Sequence, residues 1–225
     1  QRRVVYSVAV LFLVSCCFVA VQFFKSENVM AVNVNTWTNG AGNGNWNDAG
    51  NWSRSTVPGT NDVATFDGTN TSACNINNNI NIGGMNIAPG YSGVITQSSG
   101  RTITLGASGY SQSGGTFIGG NSNFTISAGT FNLTGGAFTA PSATLAIAGN
   151  YSANTNVFVH TGGSFAHNNG TFAFNAAVNS WNAVTYTFDV IPSTRFYNLI
   201  INASTCCNIP TVATAAGDTV HCDNN

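Results

Sequence analysis

Carboxylates, the side chains that could run acid–base chemistry, are scarce in this chain. Glu27 follows an N-terminal apolar run, and only Asp48, Asp62, Asp67, Asp189, Asp218 and Asp223 come after it. Glycoside hydrolysis needs two acids about 5–10 Å apart. Asp62 and Asp67 are a close pair in sequence ahead of the repeats, and each stands beside a turn, where an Asp side chain accepts bonds from nearby backbone N–H groups. His160 and His167 are seven residues apart, each two residues past a phenylalanine. As metal ligands they would have to share a face, and the repeat that carries them places them on different faces. The chain has no nucleophile elbow, no Walker-type glycine loop and no calcium-binding Gly-Gly-x-Gly-x-Asp run. The expectation is a protein that is not an enzyme and holds no metal or cofactor, with a polysaccharide lyase or hydrolase as the catalytic alternative.

Two further residue sets could bind or crosslink. Trp37, Trp46 and Trp52 fall within sixteen positions, separated by Gly/Asn turns. Exposed, they would form an aromatic platform on which sugar rings stack, with neighbouring asparagines bonding the hydroxyls. Buried, they would plug the open end of a β-stack; the cap is the preferred reading. Cys74, Cys206, Cys207 and Cys222 make an even count, so disulfides are allowed in an exported chain, and Cys207 with Cys222 closes the shortest loop. Buried free thiols are the competing reading. A zinc site lacks Cys-x-x-Cys spacing.

The elements that position these residues are written in phenylalanine. Phe117, Phe124, Phe131 and Phe138 recur every seven residues, and after a one-residue slip so do Phe158, Phe165 and Phe172. A helix is excluded between Gly114 and Gly136, where seven glycines would cost roughly 7 kcal/mol against alanine. The apolar residues instead alternate as pairs, such as Ile103/Leu105, Phe124/Ile126, Phe131/Leu133 and Phe172/Phe174, the period of a strand with one buried face. Because seven is odd, the glycine and Asn/Ser clusters between units must reset the direction. Three units give a coil of about 21 residues, which predicts an all-β, right-handed parallel β-solenoid. That arithmetic stacks Phe117 on Phe138 and Phe158, and Phe124 on Leu145 and Phe165. The alternative is an antiparallel β-meander or sandwich, with pairing local in sequence. Ile76, Ile80, Ile82, Ile87, Ile95 and Ile103 are core candidates leading into the repeats. Val184, Tyr186, Phe188 and Val190 read as one long strand ended by Pro192, and Leu199-Ile200-Ile201 as another buried strand.

Of 225 residues only 6% are charged, against about 25% in ordinary soluble domains, and the net charge is −1. Six scattered Lys/Arg leave no basic patch, which argues against nucleic acid. Arg2 and Arg3 precede an apolar run from Val4 to Phe24 that as a helix would span about 32 Å, so an N-terminal apolar helix serving as export signal or membrane anchor is expected. The implied organisation is a signal or anchor over 1–31, a Trp-rich cap over 32–69, solenoid repeats over 70–205, and over 206–225 the start of a further rung that reads as cut short.

The run Trp37…Gly42-Asn43-Gly44-Asn45-Trp46…Asn51-Trp52…Pro58…Asp62…Phe66 resembles the opening of bacterial surface proteins with autotransporter-type β-strand repeats. The segment from Gly163 to Phe172, with Phe196-Tyr197-Asn198-Leu199-Ile200-Ile201-Asn202, is similar to repeats in large secreted β-helical proteins. The resemblance implies a surface-displayed solenoid acting in adhesion or envelope coating. The expected role is a non-catalytic structural or adhesive segment of an exported, extracellular or cell-surface protein of a bacterial envelope, with a carbohydrate-binding module or polysaccharide-active β-helix as the alternative. Expected partners are surface glycans or other copies of a surface protein, and the membrane if the N-terminal run is retained.

Overall fold

The computed structural model describes residues 32–151, 155–175, 177–178, 185–202, 204–205 and 211–224. The apolar run from Val4 to Phe24, Trp181, Val184, Cys206 and Cys207 lie outside the described residues.

The described chain is strand and turn, with one short 3-10 turn at Ala49–Asn51. In order the strands are β1 (Asn33–Thr36), β2 (Asp62–Phe66), β3 (Cys74–Ile76), β4 (Ile80–Ile87), β5 (Val94–Gln97), β6 (Ile103–Gln112), β7 (Thr116–Ile118), β8 (Phe124–Ile126), β9 (Phe131–Thr139), β10 (Thr144–Ile147), β11 (Thr155–Ala166), β12 (Thr171–Phe174), β13 (Ala177–Val178), β14 (Thr185–Val190), β15 (Arg195–Phe196), β16 (Asn198–Ile201), β17 (Ser204–Thr205), β18 (Thr211–Thr214) and β19 (His221–Cys222). Every ladder joining them is parallel, so the antiparallel meander is not the fold.

Three stacks emerge from the register. The first runs through β1, β2, the later halves of β4 and β6, the earlier halves of β9 and β11, then β14 and β18. The second holds β3, β5, β7 and the later halves of β9 and β11. The third holds the earlier halves of β4 and β6, then β8, β10, β12 and β16. The long strands β4, β6, β9 and β11 therefore turn a corner and belong to two stacks each. Two small pairs, β13 with β17 and β15 with β19, stand outside this sheet.

Alternation along each strand sends one set of side chains inward, and these meet layer upon layer. Phe131 lies face to face with Tyr110 on one side (5.1 Å between ring centres, 11°) and Phe158 on the other (4.7 Å, 4°). Phe117, Phe138 and Phe165 form a second column, at 5.1 and 5.7 Å. Phe124, Leu145, Phe172 and Leu199 form a third. Rings from different columns meet edge to face, as Phe131 does with Phe138 at 4.9 Å. Burying each phenylalanine contributes about 1.5–3 kcal/mol, and each well-set ring pair about 0.5–1.5 kcal/mol more. All six isoleucines expected in the core between Ile76 and Ile103 are buried, as are Tyr186, Phe188 and Val190 on β14.

The columns correct the expected phase. Phe117 pairs with Phe138, but Phe138 pairs with Phe165 rather than Phe158, and Leu145 with Phe172 rather than Phe165. The step is 21 residues from Tyr110 to Phe131 and 27 from Phe131 to Phe158. The added residues lie between β10 and β11, so the apparent one-residue slip in the phenylalanine spacing conceals a longer coil. A second correction concerns β16: Ile200 and Ile201 are 44% and 47% exposed rather than buried, because among the described residues no strand pairs with the far side of β16.

Corners are made by glycine where the layers come closest. Gly136 (φ +74°) and Gly163 (φ +80°) both sit in left-handed backbone, and a Cβ would collide on Gly136 with the carbonyl oxygens of Gly114 and Gly115, and on Gly163 with the Gly136 carbonyl oxygen and the Gly135 backbone. The buried Gln112 braces this corner from inside. Its Oε1 accepts from the Tyr110 hydroxyl (2.7 Å), and its Nε2 donates to the carbonyls of Gly114, Gly115 and Ala137 (3.0–3.2 Å).

Candidate functional site

The tryptophans do not form a platform. Trp37, Trp46 and Trp52 are 0%, 0% and 2% exposed, and they pack on one another and on Phe66. Trp46 and Trp52 ring centres are 4.6 Å apart, and Trp37 and Trp52 5.1 Å. The Gly/Asn turns that separate them fold the loop back over the end of the stack. Asn51, itself buried, accepts the Ala41 N–H and donates to Asn43 Oδ1 and the Asn45 carbonyl. Trp52 Nε1 donates to the Trp46 carbonyl, whereas Trp46 Nε1 is buried without a partner. None of these three indole faces is open to a sugar ring, because aromatic area this large is worth more against the core than against water.

Cys74 and Cys222 are both free thiols, as in the competing reading of the cysteines, while Cys206 and Cys207 lie outside the described residues. Each takes an interior column position, Cys74 in register with Ile95 and Cys222 with Phe196, so each packs like a small apolar side chain. Burial raises the pKa of both; at Cys222 the nearby Asp223 adds to the rise.

Asp62 and Asp67 serve turns. Asp62 accepts from the Gly59 N–H at 2.8 Å and lies 3.5 Å from Arg54; Asp67 accepts from the Thr69 N–H at 2.9 Å. The histidines part company. His160 is wholly buried on β11, its Nδ1 2.8 Å from Thr194 Oγ1 and its Nε2 unpartnered. Burial lowers its pKa, with the Gly163 backbone acting in the opposite sense.

His167 instead belongs to a convergent polar cluster that spacing alone did not bring to notice. Asn168 and Asn169 follow it in left-handed backbone (φ +49° and +56°), and the Asn169 N–H donates to His167 Nδ1 at 2.9 Å. The imidazole stacks on the Tyr197 ring, 5.4 Å between centres, and its Nε2 lies 3.2 Å from Asp223 Oδ2. Arg195 Nη1 lies 3.5 Å from the other carboxylate oxygen. His221 sits opposite Arg195 in the β15–β19 ladder. This cluster joins residues 28 and 56 positions apart, a separation that follows from two consecutive long coils. The one legible signal was a rare charge recurring near that spacing.

The cluster holds a single carboxylate with both oxygens already engaged, which suits it to tying strands together. No group of three or more His, Cys, Asp or Glu side chains that could hold a metal ion occurs among the described residues. Comparison with protein-family models, with curated proteins and with solved structures finds no match for this chain.

Proposed function

We propose that this chain is a non-catalytic structural or adhesive segment of an exported cell-surface protein. It is built as a right-handed parallel β-solenoid whose basic coil of about 21 residues expands where corners lengthen. The observation that supports this reading best is the parallel ladder running from β1 to β18 around columns of stacked rings. A structure of this kind is long, stiff and locally redundant, which suits display and load rather than turnover. The outer face fits the same role: polarity comes from Asn, Thr and Ser, with 6% charge in the whole chain. Asn and Ser side chains bond from coil to coil, as Asn77 does to Asn47 (2.8 Å) and Asn224 to Asn198 (2.7 Å). In this reading the Val4-to-Phe24 run directs export or anchors the chain in a bacterial envelope, and the partners are surface glycans or further copies of a surface protein. The carbohydrate-platform alternative loses its support with the burial of the three indoles.

Antibody against the chain should label intact source cells, and brief protease treatment of those cells should abolish the label. Labelling that appears only after the cells are permeabilised would overturn the proposal.

A further inference from the structure

We propose that His167, Arg195 and Asp223 form a latch that fastens the last described strand, β19, over the end of the aromatic columns. The strand needs such help. β19 has two residues and, among the described residues, pairs only with β15, which also has two. So short a pair is not stable by its own backbone bonds. Beyond it the ladder continues through the Asp223 N–H to the Phe196 carbonyl (2.8 Å) and the Asn224 N–H to the Tyr197 carbonyl (3.1 Å).

The Asp223 carboxylate is then gripped from two directions, by Arg195 from the adjacent strand and by His167 from the turn after β11. Of the two arginine–carboxylate pairs among the described residues, one is this contact of Arg195 and the other, between Arg54 and Asp62, lies elsewhere. The His167 ring is set for this task. Because Nδ1 accepts the Asn169 N–H, the neutral ring carries its proton on Nε2 and directs it at Asp223. The latch therefore closes without a positively charged imidazole. Tyr197, stacked on that ring, keeps it from turning away. Beneath the latch lie Phe196, 1% exposed, and the half-buried Cys222 thiol; opening it would bare both.

Hydrogen exchange on the full chain tests this at the amides of Asp223 and Asn224. Asp223→Ala and His167→Phe, the second keeping a ring on Tyr197 but losing the Nε2–H, should each speed exchange there about three- to tenfold, while the amides of Phe131 and Phe158 stay at the native rate. The double variant should fall short of the product of the single effects, since both remove one contact. Arg195→Gln, on an exposed side chain, should give the same local acceleration and guards against a variant that fails to fold. Exchange at Asp223 and Asn224 within about twofold of native in all three single variants, or equal acceleration at Phe131 and Phe158, would overturn the latch.

Discussion

His160 shows how a single residue converts position into a solution property. It occupies the inward site where the adjacent coil places Leu133, in register with it, so a titratable ring stands where an apolar one would serve. Burial lowers its pKa below the ordinary 6.5. The unfolded chain then takes up a proton near pH 6.5 that the folded chain refuses, so stability is full above that pH and declines as pH falls through it, levelling once the folded ring also protonates. Urea unfolding midpoints measured from pH 7.5 to 5 should fall on the acid side. His160→Gln, which removes the titrating group, should flatten the fall, and an equal decline in that variant would exclude His160 as its cause.

At the scale of the element, the unit of stability is the contact between successive coils rather than any one strand. Phe131 illustrates this, since it is stacked on Tyr110 and Phe158 and edged by Phe138 and Phe165. Phe131→Ala should cost about 3–5 kcal/mol in urea unfolding, with the far larger share felt by the coils that hold Tyr110 and Phe158. Phe131→Leu, which keeps most of the volume and loses the ring stacking, should cost about 1–2 kcal/mol. Similar losses for the two variants would mean that the column is not packed as described. The alternation that makes these strands was legible from pairs such as Phe124/Ile126. So were their partners as far as β10, Phe117 on Phe138 and Phe124 on Leu145, but not those beyond it, because the length of the corner between β10 and β11 decides which coil lies on which.

For the whole molecule, a stack of coils held by nearest-neighbour contacts opens from an end before it opens in the middle. The two thiols among the described residues report on this, since Cys74 is 1% exposed and Cys222 is only half buried. Under native conditions an alkylating reagent, followed by peptide mapping, should modify Cys222 well before Cys74. Cys74 should react only at the rate of global unfolding. Equal native rates at these two thiols would contradict opening that begins at the β19 end.

Local periodicity determined much of this protein by itself. Side chains two apart on a strand share a face, so the sequence alone marked the strands, the inward phenylalanines and the six isoleucines that lead into them. It also determined a surface poor in charge. Tertiary structure alone decided the 27-residue coil, the free state of Cys74 and Cys222, and the meeting of His167 with Asp223. These depend on which layer covers which, and that is settled by loop length and long-range packing energy, neither of which is written in the spacing of neighbours along the chain.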